Sequence, residues 1–234
     1  MGTPATTPQM ITPANSLPLA EVALRDLKRA IIRCDLEPGS RLKVDALSRS
    51  LGLSSSPIRE ALNRLAQDGI VSAEENRGFW VAPLSVDAFR DIIRMRTLLE
   101  GEAIRESVAK GGDDWEAGVL AAFHRLSLAE KKLSSGPVAL DDDWSERHKA
   151  FHFSLLAGTT SPLLLQMIDS LFDRAERYRR FSALHRVEER QKSGEHQALM
   201  KAALAREPEK AAKLLTKHIE GTLDRVVAAL GRMQ

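Results

Sequence analysis

The sequence is poor in the residues that form cross-links and aromatic cores. Its 234 residues include one cysteine, Cys34, and only 5% aromatic side chains. A lone cysteine excludes an intrachain disulfide and a cysteine-based structural zinc site. No apolar run approaches the ~20 residues of a membrane helix, and no charged stretch followed by an apolar stretch marks a secretory signal. These absences predict a protein of the reducing cytoplasm that has no membrane partner and a core of aliphatic side chains.

Charge of one sign is also scarce. The chain has 34 Lys and Arg against 32 Asp and Glu, a net charge of +2 with neutral His. Residues 1–84 carry 10 basic and 9 acidic side chains, and residues 85–234 carry 24 and 23, so each part has a net charge of +1. Overall charge therefore gives no footprint for nucleic acid, and any DNA-binding prediction must rest on local placement.

Three segments differ in pattern, and together they predict a mainly α protein. Residues 1–17 have no charged side chain and no apolar periodicity, so we expect a disordered arm. Residues 18–83 predict a winged helix-turn-helix, with three helices and a hairpin that turns near Asn76. Residues 84–234 show no strand signal and predict an all-α bundle of about six helices. These helices are expected at roughly 86–110, 114–134, 140–157, 161–183, 186–206 and 208–230.

The third predicted helix has the polar face that a DNA-reading helix requires. A hydroxyl cap directly before Pro57 marks its start. If this helix enters a major groove, Arg59 would pair with a guanine edge and Asn63 with an adenine. The other predicted DNA contacts are Ser54, Ser55 and Ser56 at the helix start, Arg77 and Gly78 at the wing tip, and Arg41 and Lys43 after the first turn.

Four of the six histidines have a spacing that favours a shared site. His148 and His152 are i and i+4, so they lie on one helix face. His196 and His218 each lie 11 residues from Glu207, where the last two predicted helices meet. An antiparallel hairpin would place these two imidazoles level with each other. Imidazoles that converge inside a bundle suit Zn²⁺, Ni²⁺ or a similar divalent ion, and the alternative is that they bind an anionic ligand directly.

The first part resembles a known DNA-binding domain. PGSRLKVDALSRSLGLSSSPIREALNRLAQDGIVSAEENRGFWV is similar to that of the GntR-family transcription regulators, which show a PG-x-x-L turn, an LA-x-x-LGVS-x-x-PVREAL segment and an RG-x-x-V wing. The likeness covers about residues 18–83. It implies DNA contacts at Ser54, Ser56, Arg59, Arg77 and Gly78. Ser55 stands where the family often has Arg, which removes one expected contact.

The second part resembles the FCD effector domain of the FadR branch of that family, over about residues 86–230. The likeness is carried by RTLLEGEAI, HKAFHFSLLAG, LFDRAERYRRFS and GEHQALMKAALAREPEKAAKLLTKHIEGTL. It implies metal ligands at His148, His152, His196 and His218. His148 stands where the metal-binding form has Asp. Four neutral imidazoles would leave the charge of an ion uncompensated, so a carboxylate effector would complete the ligand shell more readily.

The resemblance also implies residues that bind the effector. Arg96 points into the family's pocket, where a guanidinium would clamp a carboxylate, and the alternative is an ion pair with Glu100 one turn on. Tyr178 and Arg179 are candidates to line the pocket, with core packing as the alternative for Tyr178. The basic run that contains them is expected to be a solvated face and consists of Arg174, Arg177, Arg179 and Arg180.

These features predict a regulator and not an enzyme. A homodimeric repressor would bind a pseudo-palindromic operator on duplex DNA, and a small organic acid would change its affinity. One alternative is a metal-responsive regulator in which the ion itself is the signal. Another is a helical metalloenzyme, for which Glu195 is the nearest candidate base. Its side chain would point about 100° away from that of His196 around the helix axis.

Overall fold

The computed structural model describes residues 17–74, 77–132, 141–185 and 194–232. Apart from Leu17, the predicted arm lies outside the described residues. Among the described helices, none is long and apolar enough to cross a membrane.

The residues from Leu19 to Val81 fold around one apolar core. Their elements are α1 (Leu19–Ile32), β1 (Arg41–Leu42), α2 (Val44–Leu51), α3 (Ser55–Gln67), β2 (Val71–Glu74) and β3 (Gly78–Val81). Helix α1 contributes Ala23, Leu27 and Ile31 to this core, at the spacing of one helix face. Three helices followed by a small sheet form the predicted winged helix-turn-helix.

The sheet has one strand more than the predicted hairpin. Its order is β1-β3-β2, and both pairs are antiparallel. Strand β1 pairs Arg41 with Trp80 and Leu42 with Phe79. A strand of two residues is too short for an alternating pattern, so periodicity could not identify it. The predicted turn residue Asn76 lies outside the described ranges.

Helix α3 begins earlier than predicted. Ser54 is its N-cap residue, with an extended backbone at φ −68° and ψ 166°, and Pro57 is the third helical residue and not the first. Proline is tolerated there because the first N–H groups of a helix have no intrahelical acceptor. The apolar stripe of α3 is buried as predicted and includes Ile58, Ala61, Leu62 and Leu65.

The second core is entirely helical in the described residues. Its helices are α4 (Val86–Lys110), α5 (Asp113–Lys132), α6 (Asp142–Leu156), α7 (Pro162–Leu184), α8 (Glu195–Leu204), α9 (Pro208–Glu220) and α10 (Leu223–Gly231). Helix α4 packs against α6, α7, α9 and α10, while α5 packs against α6 and α8. Side-chain caps fix several starts: Ser85 accepts a hydrogen bond from the Ala88 amide, and Ser161 accepts one from the Leu164 amide.

The predicted last helix is divided in two. Gly221 ends α9, and Thr222 precedes α10. Both residues keep right-handed helical backbone angles, and the apolar periodicity of the sequence continues across the break. The pattern therefore could not reveal it.

Helix α7 contacts both cores. Arg174 Nε donates a hydrogen bond to the Asp68 carbonyl at the end of α3 (2.7 Å), and Arg177 Nη2 donates one to the Ala82 carbonyl (2.5 Å). Arg177 is 3% exposed and Arg180 8% exposed. The prediction of a solvated basic face is therefore wrong for this run. Composition shows four arginines, but only the packing of α7 against the first core and against α6 shows that two of them are buried and two half-buried.

Candidate functional site

The four predicted histidines form one cluster. His148 and His152 come from α6, His196 from α8 and His218 from α9, and one ring nitrogen of each lies within 4.8 Å of those of the others. The two Nε2 atoms on α6 are 3.1 Å apart. The ring centroids of His196 and His218 are 4.8 Å apart, which is the level pairing that the spacing around Glu207 predicts.

Two glutamates orient the histidines of the α8–α9 hairpin. His196 Nδ1 lies 3.1 Å from Glu130 Oε1, and His218 Nδ1 lies 2.9 Å from Glu195 Oε2. A carboxylate accepts a hydrogen bond, so Nδ1 carries the proton of each neutral ring and the lone pair remains on Nε2. His196 Nε2 is buried and has no hydrogen-bond partner among the described residues. A buried lone pair of this kind is the donor that a divalent ion needs.

Aromatic packing orients the histidines of α6. The His148 ring stacks on Trp144 at 4.6 Å between centroids with 16° between planes. The His152 ring packs against Phe151 and Phe172, at 5.8 Å from each. Neither Nδ1 atom of this pair has a hydrogen-bond partner within the described chain. Aromatic packing and the contact between their own Nε2 atoms therefore hold these two rings.

The cluster is electrostatically suited to neutral imidazoles. Burial lowers the pKa of His148 well below its usual range, and the nearby Arg179 guanidinium lowers it further. Burial lowers the pKa of His152 in the same way, and the neighbouring imidazoles add to the effect. Burial also lowers the pKa of His218, against the opposing influence of Glu195. Neutral imidazole is the form that binds metal ions.

The predicted clamp residue Arg96 lies beside the cluster and is also paired. Its Nε donates a hydrogen bond to Glu100 Oε1 at 2.6 Å, and its guanidinium carbon lies 4.7 Å from the centre of the Phe172 ring. Its charge is close enough to lower the pKa of His152. The ion pair with Glu100, which the sequence offers as the alternative to a carboxylate clamp, is therefore present. It holds the guanidinium next to the histidines.

The other two predicted pocket residues lie in different places. Tyr178 is buried, stacks on Phe89 with centroids 4.6 Å apart, and accepts a hydrogen bond from the Ser85 amide at 3.3 Å. It belongs to the core at the start of α4, and these contacts are those of its packing alternative. Arg179 pairs with Glu176, and its guanidinium carbon lies 4.7 Å from the Trp144 ring. That ring stacks on His148, so Arg179 borders the cluster.

Most of the predicted DNA-contacting residues are exposed on the first core. Arg59 and Asn63 are exposed on α3, on the side away from its buried stripe. At the wing, Arg41 Nη2 donates a hydrogen bond to the Arg77 carbonyl at 3.0 Å, which links β1 to the tip. Gly78 has a φ of +111°, which favours glycine at that position. The other exposed residues among the predicted DNA contacts are Lys43, Ser54, Ser55 and Ser56.

Sequence reasoning missed three participants in the histidine cluster. Glu130 lies 66 residues from the histidine that it contacts, so no spacing rule could connect the two. The sequence suggests Glu195 only as a candidate base beside His196, whereas in the structure it contacts His218 on the next helix. Phe172 touches both α6 rings and lies against Arg96, and an isolated phenylalanine carries no signal for such a place.

Comparisons with known proteins agree with this architecture. Residues 19–81 match the family described as bacterial regulatory proteins, gntR family, and residues 91–221 match the FCD domain. The chain is 37% identical to the uncharacterized HTH-type transcriptional regulator BphR of Paraburkholderia xenovorans LB400, over 94% of this chain and 90% of that protein. It is 37% identical to the HTH-type transcriptional repressor GlaR of Escherichia coli K12, over 83% and 90%. The solved structure of E. coli McbR/YncC covers 94% of this chain and 100% of that one, with a TM-score of 0.71 at 20% identity, and so supports the fold.

Proposed function

Since the chain belongs to the GntR family of bacterial transcription regulators and carries an FCD domain, we propose that it is a repressor controlled by a small carboxylate. The relatives are regulators and not enzymes. In this proposal residues 18–83 bind operator DNA, and residues 84–234 bind the effector and form a homodimer. The observation that carries the effector part is the convergence of four buried or half-buried histidines beside two arginines. Repression is supported by the name of the E. coli relative GlaR.

The histidine cluster would hold a divalent ion, with Zn²⁺ or Ni²⁺ best suited to nitrogen donors. The ligands would be the Nε2 atoms of His148, His152, His196 and His218, since these are the atoms that the ring contacts turn inward. A bound ion would supply a Lewis-acidic position for a carboxylate oxygen.

Two guanidiniums border the place where the effector would bind. Arg96 is held by Glu100, and Arg179 is held by Glu176. A guanidinium has five N–H groups, so the Nε contact of Arg96 with Glu100 leaves further donors on that side chain. These donors and the histidine cluster would recognise a small organic acid through charge-assisted hydrogen bonds.

DNA recognition would follow from one reading helix in each subunit of a dimer. Arg59 and Asn63 would contact base edges, and Lys43 and Arg41 would contact phosphates. Two copies related by a two-fold axis read a site with two-fold symmetry. Selection from random duplexes is therefore expected to return a pseudo-palindrome.

The test measures operator binding during two titrations. Chelator-treated protein is titrated with Zn²⁺ in the absence and in the presence of small mono- and dicarboxylic acids, with the selected duplex as the probe. We expect the acid to weaken operator binding in the presence of the ion, because it changes the equilibrium between binding-competent and incompetent forms. If Zn²⁺ alone controls operator affinity and no acid alters it, the carboxylate proposal is wrong and the metal-responsive regulator is supported.

A variant pair locates the effect. Arg96→Lys keeps a cation next to Glu100 but removes the planar fork, so the response to the acid should fall while operator binding without acid is retained. Arg105→Lys is the matched control, since Arg105 lies on the same helix and pairs with Glu209 at the surface. An unchanged response in Arg96→Lys would exclude this arginine as the clamp.

A further inference from the structure

Two carboxylates reach the histidine cluster from outside. Glu130 is on α5 and Glu195 is the first residue of α8, so different helices present them to the rings of His196 and His218. Both ring contacts are made through Nδ1, on the side of the imidazole opposite to the cluster. The two glutamate side chains are 26% and 47% exposed, whereas the imidazoles that they contact are largely covered.

We propose that Glu130 and Glu195 are the positioning and charge-compensating residues of a four-histidine divalent-ion site. A carboxylate that accepts the Nδ1 proton fixes the tautomer, aims Nε2 inward and raises the basicity of the ring. This inference rests on the proposed metal binding and adds to it the source of the negative charge.

The two glutamates then offset the charge of the ion without a carboxylate among its ligands. A divalent ion brings two positive charges, and the two glutamates supply two negative ones. Arg96 is paired with Glu100. Arg179 and Arg180 share Glu176, and Arg180 also contacts Asp142, so each of these guanidiniums has a carboxylate partner. The sequence alone indicates that four neutral imidazoles leave the charge of the ion uncompensated, so that a carboxylate effector would complete the ligand shell more readily. With Glu130 and Glu195 in place, the ion binds before and without the effector.

The two pairs of histidines are held in place by different kinds of contact. The α8–α9 histidines have carboxylate partners, whereas the Nδ1 atoms of His148 and His152 have no partner in the described chain and their rings are held by aromatic packing. Replacing either glutamate should therefore affect only its own histidine, and the α6 pair should keep its orientation. This gives the inference a residue-specific readout.

The experiment measures zinc affinity by competition with a chromophoric chelator. Glu195→Ala removes both the charge and the acceptor, and we expect about a 10- to 100-fold loss of affinity. Glu195→Gln and Glu130→Gln keep an amide oxygen as acceptor and remove only the charge, so their losses should be smaller than that of Glu195→Ala and should combine in the double variant. The control is Glu209→Gln, a surface glutamate paired with Arg105, and its affinity should equal that of the wild type.

A second readout does not require metal. Nitrogen NMR of the apo protein should show His196 and His218 as Nδ1–H tautomers in the wild type. In Glu195→Ala only His218 should lose that preference. Wild-type zinc affinity in all the glutamate variants, or Nε2–H tautomers in the wild type, would overturn this inference and leave the proposed metal binding intact. If the wild type binds no zinc, the metal part of the proposed function fails together with the charge balance argued here.

Discussion

The contact between α7 and the DNA-reading core can be tested at a single glycine. Gly69 follows α3 and has a φ of +69°. A Cβ placed there would lie 2.5 Å from Arg174 Nη2 and 2.8 Å from its Cζ, closer than real Cβ atoms approach other heavy atoms. Gly69→Ala should therefore introduce backbone strain and displace the guanidinium from the Asp68 carbonyl.

The two effects can be separated with a matched glycine. Gly52 ends α2 with a φ of +65°, and a Cβ there would meet nothing within 4 Å. Left-handed backbone costs an alanine about 1–2 kcal/mol in either variant. Gly69→Ala should cost about 1–3 kcal/mol more, because it also disrupts a hydrogen bond from a charged donor. Part of this excess will be recovered if the flexible Arg174 side chain finds another position.

Urea unfolding of the two variants, each in the wild-type and the Arg174→Ala background, measures this excess. In the Arg174→Ala background the guanidinium is gone, so Gly69→Ala and Gly52→Ala should cost the same. Equal costs in the wild-type background would refute the contact between Arg174 and the end of α3. An excess that persists in the Arg174→Ala background would refute its assignment to the guanidinium.

Further predictions concern stability at low pH and DNA binding. Hydrogen bonds from Lys110 and then from two threonine hydroxyls lower the pKa of Glu106 from 4.5 to about 2. The carboxylate therefore stabilises the fold above its unfolded pKa, and this stabilisation is lost as the pH falls from about 4.5 toward 2. Glu106→Gln should be less stable than the wild type at pH 7, and urea unfolding across this range should show the difference shrinking. Arg59→Ala should weaken operator binding by about 1–3 kcal/mol and relax the preference at one base pair, measured with single-substitution duplexes. Lys43→Ala should weaken binding to all duplexes alike and lower the salt slope by about 1; a sequence-dependent loss in this variant would contradict its phosphate role.

Local signals predicted most of the fold because helices repeat at a short period. The bounds expected for the first bundle helix, 86–110, are those of the structure, and Ser85 before α4 is its start signal. Two other elements were missed or merged. Strand β1 is too short to show a period, and the break at Gly221 leaves the period intact.

The histidine cluster could be predicted because its members are linked by distances along single helices. One helical step joins His148 and His152, and equal arms of a hairpin join His196 and His218. The same reasoning could not assign Tyr178 to the core or Arg177 to the domain contact, since both depend on what packs against α7.

The charge balance of the cluster belongs to the same class of three-dimensional properties. A motif comparison registers His148 in place of an acid and predicts an ion whose charge is uncompensated by its protein ligands. In the structure Glu130 contacts the ring of His196 and Glu195 contacts that of His218. Glu130 lies on α5, which the motif does not include, and the sequence suggests Glu195 only as a candidate base. A carboxylate that contacts the far side of a ligating imidazole still acts on the ion. The absence of an acid among the ligands therefore does not by itself predict the absence of the metal. Under the proposal above, restoring the acid with His148→Asp would add a third negative charge to a balanced site. A carboxylate effector would then bind more weakly to the zinc-loaded variant than to the wild type, whereas tighter binding would contradict this charge balance.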